Sequence, residues 1–419
     1  MMTQFQIQGD RFLINGEKTY SEYPDCPETY KGLLMNARFV QGIFTDEEDL
    51  EKYNRFGRRF DPEKNTDDLV HALPQWYAKG LRAITVDFQG GGPCFTIPNT
   101  MIKNPAFSED GKTIESGHMI RMKRIIEAAD ELGMIVIVSF FYGAQTRFLK
   151  DDDAVKAAVK TASNWLRDEK FSNVIIEIAN ENNEANYVIH PILYLADGVI
   201  ELMDLARNES GGLKVGCSSL SFRYTHEIAE ASDIIFIHGN HLSRQQFYQD
   251  IQKAKSIRPI RPIVCNEDSQ SLTQMQVALD QSVSWGYYNN LSKQEPPVDW
   301  NILPGEDAFF ANRMAWSLGI ETELPALEEQ FYFHGLEPEI TYEGKRWIRM
   351  GCMFPELVDK VEYYRDGMLF ETSYNVPFSI KYYNNWNQFP VMGIKSGEMW
   401  KAIIYLKSGE IIEKETCVM

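Results

Sequence analysis

The chain of 419 residues has few of the features that form disulfides, bind metals or cross membranes. Its six cysteines are scattered with no close pair, and it has only seven histidines. Scattered cysteines indicate free thiols rather than a disulfide framework or a zinc site. No run of about 18 apolar residues occurs, and the N-terminal sequence MMTQFQIQGD lacks the basic and apolar regions of a signal peptide. These absences predict a cytoplasmic protein without a transmembrane helix.

Positive charge is also scarce, since the formal net charge is -18. No basic stripe is present that would neutralise the phosphates of a nucleic acid or the surface of an anionic membrane. The sequence therefore excludes nucleic-acid and membrane partners and leaves neutral ligands open. Aromatic residues make up 12% of the chain, a content that suits stacking on sugar rings or bases.

What the chain does have is a regular alternation of short apolar runs with helix-period segments. The eight strand candidates are LLMNA (33–37), AITVDF (83–88), MIVIVSF (134–140), VIIEIA (174–179), LKVGCS (213–218), IIFI (234–237), IVCN (263–266) and SVSWGY (282–287). Nearly continuous apolar strands indicate a parallel sheet that is buried on both faces. Eight strand–helix units in about 300 residues predict an α/β fold of the (β/α)8 TIM-barrel type. The alternative, a doubly wound open sheet, usually has a glycine-rich loop after its first strand, and MNARFVQG is not one.

The two ends of the chain differ from this alternation. Residues 5–21 alternate around turn signals at Gly9-Asp10 and Asn15-Gly16, which predicts an N-terminal β-hairpin or meander. After Pro338 the helical periodicity stops, and VEYYRDGMLFETS and MWKAIIYLKSGEIIEKE each indicate a hairpin. The sequence therefore predicts a catalytic barrel over residues 1–325 and a small antiparallel β-sandwich over residues 338–419.

Polar side chains follow the strand candidates at the end where a barrel places its active site. Asn180 and Glu181 close the fourth strand, and Glu267 closes the seventh. The ends of strands four and seven face each other across the mouth of a barrel. Two facing carboxyl groups are what cleavage of a glycosidic bond requires, because one protonates the leaving oxygen and the other attacks or stabilises the sugar.

The segment VIIEIANEN resembles the VIYEIANEP signature of the cellulase family in glycoside hydrolase clan A. FLINGEKTY near the start and SWGYY, with Trp285, resemble further clan segments. The C-terminal stretch 361–383 resembles the Ig-like modules appended to bacterial glycosidases. The resemblance implies a retaining mechanism without a cofactor on a carbohydrate substrate. It implies Glu181 as acid/base, Glu267 as nucleophile, and Asn180 as the partner of a sugar 2-hydroxyl.

The chain also departs from the cellulase pattern. Asn182 stands where cellulases have proline, the third strand ends in SFFYGAQ without a histidine, and the sixth strand ends in His238 rather than near a tyrosine. The resemblance therefore implies the chemistry of the clan and not the specificity of a cellulase. We expect His238 to bind a substrate hydroxyl or to orient Glu267, and Trp285 to be a stacking platform or a core residue.

Further strand-end residues complete the predicted substrate site: Arg38, Asp87, Gln89, Tyr142 and Asn266. Glu177 has the same strand parity as Glu181, and a buried carboxylate needs a partner, which we expect to be Arg38 or Arg82. Glu184 is expected to start a helix or lie in a loop. The stretch QGGGPC (89–94) fits neither phosphate-loop spacing and predicts a close-packed turn.

Two other functions remain open at this point. The first is a barrel that binds sugars without cleaving them. The second is a metal-dependent hydrolase or isomerase that uses His238, His241 and Glu267, although no second ligand cluster with metal-site spacing is evident. For catalysis, the apolar strand behind Glu181 and the charge of Glu267 are both expected to raise the pKa of Glu181.

Overall fold

The fold was analysed in a computed structural model that describes residues 2–221, 223, 225–337, 341–386 and 388–419. It begins with the predicted meander, an antiparallel sheet of β1 (Phe5–Gln8), β2 (Arg11–Ile14) and β3 (Glu17–Lys18). Its turns lie at Gly9-Asp10 and Asn15-Gly16, where both glycines have positive φ. Among the described residues, no helix has the length and apolar character needed to cross a membrane.

Eight parallel strands form the barrel, as the sequence predicts. They are β4 (Asn36–Arg38), β5 (Ala83–Asp87), β6 (Ile135–Tyr142), β7 (Val174–Asn180), β8 (Lys214–Gly216), β9 (Ile235–His238), β10 (Ile263–Glu267) and β11 (Gly286–Tyr287). Six of them pair in the order β11-β4-β5-β6-β7-β8, and β9 pairs with β10. A bridge between Val264 and Ser284 joins β10 to the segment before β11, and the amide of Asp233 donates to the carbonyl of Val215 ahead of β9. The ring is therefore closed, which confirms the barrel and excludes the open sheet.

A helix follows each barrel strand. The helices are α1 (Pro62–Ala78), α2 (Ser116–Leu132), α3 (Asp152–Asp168), α4 (Pro191–Tyr194), α5 (Ala196–Glu209), α6 (His226–Ala231), α7 (Arg244–Ser256), α8 (Leu272–Asp280) and α9 (Glu306–Ser317). Side-chain caps mark several starts, because Asp61 accepts hydrogen bonds from the first-turn amides of α1 and Asp151 from that of α3. The apolar faces of the helices pack on the outside of the sheet in one core cluster. This packing leaves the carboxyl ends of the strands free to carry the polar residues.

Antiparallel strands form the C-terminal part of the chain. β12 (Phe331–His334) pairs with β13 (Arg349–Cys352), and a four-stranded sheet has β14 (Val358–Arg365), β15 (Met368–Ser373), β16 (Met399–Leu406) and β17 (Ile411–Cys417) in the order β15-β14-β16-β17. Side chains of both sheets share one apolar cluster, as in a sandwich. The hairpins turn at Asp366-Gly367 and near Ser408-Gly409, as predicted. β12 lies ahead of residue 338, and residues 338–340 lie outside the described part of the chain, so the division at 325 and 338 stays a prediction.

A buried ion pair joins the barrel to the sandwich. Arg349 of β13 is fully buried and donates to both carboxylate oxygens of Glu306 in α9, at 2.8 and 2.6 Å. It also donates to the side-chain oxygens of Asn289 and Asn290, which follow β11. The sandwich is therefore attached to the loop at the mouth of the barrel and not only to its outer wall.

We expect Arg349→Met to lower the free energy of unfolding by about 3–5 kcal/mol, because it leaves Glu306 buried without its cation. Urea unfolding followed by tryptophan fluorescence measures this loss. The control is Lys401→Met, which removes a partly exposed partner of Glu413 on the same module and should lower the stability far less. Equal stabilities of the two variants would show that the buried pair does not hold the modules together.

Candidate active site

The carboxyl ends of four barrel strands bring five of the predicted residues together. Arg38 ends β4, Asn180 ends β7 with Glu181 directly after it, His238 ends β9, and Glu267 ends β10. All of them are buried or nearly so; the side chains of Glu181 and Glu267 are 15% and 8% exposed. The cluster thus lies at the face of the barrel where active sites form.

Arg38 is the centre of this cluster. Its Nε donates to Glu267 Oε2 at 2.7 Å, and one terminal nitrogen donates to Asn180 Oδ1 at 2.8 Å and to Asp87 Oδ2 at 3.3 Å. Burial raises the pKa of Asp87 to about 7, although Arg38 acts in the opposite direction. The guanidinium group therefore fixes the positions of three side chains from three strands and brings Asn180 and Asp87 into the cluster, while their binding of substrate stays a prediction.

Glu267 is held from two sides. Besides Arg38 at one oxygen, Asn240 Nδ2 donates to its other oxygen, Oε1, at 2.8 Å. Burial raises the pKa of Glu267, and the charges of Arg38 and His238 only partly compensate. Both carboxylate oxygens are thus oriented by neutral or cationic donors, which fixes the direction in which the group faces the cleft.

Glu181 occupies a strained position at the end of β7. Its φ is 56°, in the left-handed region that a glutamate rarely adopts, and its amide donates to the hydroxyl of Ser218 at 3.0 Å. The turn directs its carboxylate toward β9, where His238 Nδ1 donates to Oε1 at 2.9 Å. Strain of this kind is often maintained at functional sites.

The pKa of Glu181 shifts in the direction opposite to our expectation. Burial would raise it, but the hydrogen bond and the charge of His238 lower it below the usual glutamate value. In turn, burial would lower the pKa of His238, but the carboxylates of Glu267 and Glu181 raise it. The sequence-based expectation was wrong because it omitted this imidazole, which contacts Glu181 and not Glu267.

The two carboxyl groups lie close enough to act on one bond. A carboxylate oxygen of Glu181, a carboxylate oxygen of Glu267 and a ring nitrogen of His238 all lie within 4.8 Å of one another. The two carboxylates therefore face the same small space, in which both can reach one bond. The same three donors could also hold a metal ion, with Glu181 in the place for which the sequence suggested His241.

Glu177 and Asn266 support the site from below. Asn266 Nδ2 donates to Glu177 Oε1 at 3.0 Å, and Arg38 lies 3.9 Å from the other oxygen of Glu177. Glu177 and Asn266 are both fully buried. The expected partner of Glu177 is thus Arg38 and not Arg82, and the assignment of Asn266 to substrate binding was wrong, because its amide already serves Glu177.

Of two further predicted substrate residues, Gln89 lies within the loop packing after β5 and Tyr142 lies at the end of β6. Gln89 is fully buried and donates to the carbonyl of Pro105 at 2.9 Å, so it braces the loop after β5 and does not reach substrate, contrary to the prediction. Tyr142 ends β6, and burial together with the nearby charges of Glu181 and Glu267 raises its pKa. A Cβ on Gly91 would lie 2.9 Å from the Tyr142 ring, which confirms that the glycine stretch is a close-packed turn.

Trp285 is a core residue. Its indole is fully buried, lies against Phe310 and Tyr287, and donates its N–H to Asp268 Oδ2 at 2.7 Å. A ring enclosed on all sides offers no face to a sugar, so the platform interpretation was wrong. The ring of Tyr288 lies beside the cluster instead, with its centroid 5.9 Å from the guanidinium carbon of Arg38.

The other polar residues after β7 organise the loop. Glu184 accepts from the amide of Asn186 and caps the short 3-10 helix Ala185–Ile189, as expected for a helix-start carboxylate. Asn182 accepts from the hydroxyl of Ser219 at 2.7 Å, and Asn183 accepts from the amide of Leu220 at 2.8 Å. Of the two loop glutamates, only Glu181 belongs to the cluster with His238 and Glu267.

Sequence reasoning missed three residues of the site: Asn240, Ser218 and Tyr288. Asn240 lies between the two histidines of the HGNH segment, and only the histidines were considered as site residues. Ser218 is the last residue of the strand candidate 213–218 and Tyr288 directly follows the candidate 282–287, so the strand-end rule could have found both. His241, the other histidine of that segment, accepts a hydrogen bond at Nδ1 from Asn384 of the sandwich at 3.0 Å.

Comparisons with known proteins find similarity in structure at low sequence identity. No family model matches the chain, and no curated protein matches it. Among solved structures, it is similar to an endo-β-1,4-mannanase from Thermotoga petrophila, with 11% identity, a TM-score of 0.45 and coverage of 92% of this chain and 97% of that one. It is also similar to a β-mannanase from the blue mussel Mytilus edulis, with 12% identity, a TM-score of 0.46 and coverage of 77% and 98%. For a β-glucuronidase from Parabacteroides merdae the values are 12% and 0.44, and the match covers 99% of this chain and 50% of that one.

Proposed function

We propose that this protein is a retaining β-glycosidase that hydrolyses the O-glycosidic bond of a carbohydrate. The observation that carries the proposal is the pair Glu181 and Glu267, with carboxylate oxygens within 4.8 Å of each other at the mouth of the barrel. The supporting geometry consists of Arg38 and Asn240 on Glu267 and of His238 on Glu181.

In the first step a Glu267 oxygen attacks the anomeric carbon while the bond from that carbon to the leaving oxygen breaks. Glu181 gives its proton to the leaving oxygen. In the second step water loses a proton to Glu181 and attacks the anomeric carbon, which releases Glu267 as a carboxylate. Arg38 and Asn240 keep Glu267 aimed at the reacting carbon through both steps, and Asn180 is placed for a hydroxyl of the same sugar.

His238 has a positioning role in this scheme. Glu181 and His238 share one proton along their 2.9 Å hydrogen bond. When the proton is on the imidazole, Glu181 is ionised, as its lowered pKa indicates, and when it moves to Glu181 the acid is ready. The pair holds this proton up to the raised pKa of His238, so the acid remains available above the pH at which an isolated glutamic acid would have lost it.

A panel of aryl β-glycosides tests the proposed function, with the anomer of the first-formed product followed by proton NMR. We expect turnover with retention of the β-configuration. First-formed α-product would overturn the retaining mechanism, and absence of turnover on aryl glycosides and oligosaccharides would favour a barrel that binds sugars without cleaving them.

The second candidate function is metal-dependent hydrolysis, favoured by the three donor atoms that lie within 4.8 Å of one another. Against it, Arg38 already occupies one oxygen of Glu267 at 2.7 Å, and Asn240 the other. Dialysis against a chelator separates the two: a glycosidase of the proposed type keeps its rate, while a metal enzyme loses it and recovers it with added divalent ions.

The pH profile should be bell-shaped, with both limbs displaced upward. Activity needs Glu267 deprotonated, and its raised pKa moves the acid limb above the usual carboxyl range. It also needs the Glu181–His238 pair to hold its proton, and the raised pKa of His238 sets the basic limb. We expect His238→Gln to lower kcat/KM by roughly 10- to 100-fold, the loss typical of a hydrogen bond to a charged group.

The same substitution should narrow the profile from both sides. Without His238 the proton that Glu181 shares with the imidazole is lost at lower pH, which moves the basic limb of the profile to lower pH. The imidazolium charge that lowers the pKa of Glu267 is also absent, which moves the acid limb to higher pH. His226→Gln is the matched control, because His226 is exposed on α6 beside Glu230. A His238→Gln profile with unchanged limbs would contradict the shared proton.

A further inference from the structure

A loop of the sandwich reaches the mouth of the barrel. It leaves the sandwich at Tyr382, returns at Gln388, and is closed by an antiparallel bridge between these two residues. We call residues 382–386 and 388–389 the sandwich loop. The loop carries three side chains that contact the barrel, Asn384, Asn385 and Trp386, and three exposed aromatic rings, Tyr382, Tyr383 and Phe389.

Contacts to the loops after β9 and β11 and to helix α8 fix the position of the sandwich loop. Asn384 Nδ2 donates to His241 Nδ1 at 3.0 Å, two residues beyond the loop start after β9. Asn385 Nδ2 donates to Gln274 Oε1 at 3.0 Å in α8. Trp386 lies against Tyr288 after β11, with ring centroids 5.1 Å apart. Since Tyr288 also lies near Arg38 and His241 near Glu181, the sandwich loop forms one side of the site.

Next to these anchored residues the sandwich loop exposes aromatic rings. Tyr383 is 63% exposed and Phe389 is 56% exposed, with their centroids 5.7 Å apart in an edge-on contact. Tyr382 is also exposed. Single exposed rings are common on protein surfaces. Two rings in contact, on a loop whose next residues are hydrogen-bonded at the site, form a contiguous surface of the kind that binds ligands.

The charge of the site indicates an uncharged ligand. Four carboxyl groups lie around the cluster, namely Glu181, Glu267, Glu177 and Asp87, and Arg38 and His238 face them. Arg38 already forms ion pairs with three of these acids, Asp87, Glu177 and Glu267, so its charge is compensated within the protein. An acidic sugar would meet like charges at the cleft, whereas the amides and rings of the sandwich loop suit hydroxyl groups and the apolar faces of neutral pyranoses.

We propose that the sandwich loop is a binding subsite for an uncharged oligosaccharide, with Tyr383 and Phe389 stacking on sugars beyond the one whose bond is cleaved. The inference rests on the proposed function and adds to it that the substrate is a chain of neutral sugars and that the sandwich takes part in its recognition. The module then acts as part of the site and not only as a support of the barrel.

The kinetics of variants that each lack one of the two rings test the subsite. The probes are cellohexaose, mannohexaose and xylohexaose, an oligogalacturonate as the acidic probe, and aryl glycosides of single sugars. We expect Tyr383→Ala and Phe389→Ala each to reduce kcat/KM on a neutral hexasaccharide about tenfold, mainly through KM, and to leave aryl monoglycosides unchanged. Tyr374→Ala is the matched control, because Tyr374 is 64% exposed on the same module but outside the sandwich loop.

Calorimetric titration of the full-length protein with the same probes is independent of turnover. Weaker binding of a neutral hexasaccharide by the two ring variants than by the Tyr374→Ala control supports the subsite even if no bond is cleaved, in which case the proposed function alone fails. The protein could hydrolyse aryl glycosides while the ring variants bind and cleave hexasaccharides as well as the wild type does. That result would overturn the subsite and leave the proposed function standing. Preferred binding of oligogalacturonate, or binding of no probe at all, would overturn the subsite too.

Discussion

Glu267→Ala is expected to reduce glycoside turnover by roughly 10⁴- to 10⁶-fold, the range seen when the attacking group of a covalent mechanism is removed. No other group in the cluster can replace it. Glu181 is engaged by His238, and Glu177 and Asp87 lie deeper beside Arg38. The fold should survive, since Glu267 lies at the functional face of the barrel rather than in its stabilising base.

Glu267→Gln is the sharper variant, because it keeps the size of the side chain and an oxygen for Asn240 Nδ2. Its circular dichroism should match that of the wild type while turnover is lost, and its unfolding midpoint should fall because the buried Arg38 loses one of its carboxylate partners. A 2-fluoro glycoside matched to the substrate should label the wild-type protein at Glu267, as read by mass spectrometry of peptides. Label found on a different carboxylate would transfer the role of nucleophile to that residue.

Glu181→Ala should slow the hydrolysis of substrates with poor leaving groups by about 10²–10⁴-fold, because the leaving oxygen then departs without a proton. Aryl glycosides with activated leaving groups need no proton in the first step, so their glycosyl intermediate should accumulate and its hydrolysis become limiting. Azide, which needs no general base, should restore turnover and give a β-glycosyl azide. Stopped-flow bursts and product analysis measure these effects.

Glu184→Ala is the matched control for Glu181. Glu184 is three residues further along the same loop and only caps the turn at Asn186, so its removal should affect stability slightly and chemistry not at all. If azide instead rescued Glu184→Ala, and Glu181→Ala kept normal kinetics, the acid/base role would belong to Glu184.

Local sequence pattern determined the architecture. Apolar runs set the strand positions to within a few residues, as β7 at Val174–Asn180 shows against the candidate 174–179, and turn residues set the hairpins at Asp366-Gly367 and Ser408-Gly409. These features depend on side-chain periodicity and on backbone preferences over a few residues, which are present in the chain before it folds. The strand-end rule then placed Arg38, Asn180, Glu181, His238 and Glu267 at one face of the barrel.

Only the tertiary structure decided how these residues pair and in which direction their pKa values move. Arg38 contacts Asn180 across 142 positions of sequence, and His238 contacts Glu181 across 57. The sign of the Glu181 shift depends on the balance of burial against one imidazole, and no local pattern reports that balance. The burial of Trp285 and the approach of Asn384 to His241 likewise depend on the packing of distant segments. Residue type and strand position thus determined which groups reach the mouth of the barrel, while three-dimensional packing determined their partners, because partners are set by distance in space and not by spacing along the chain.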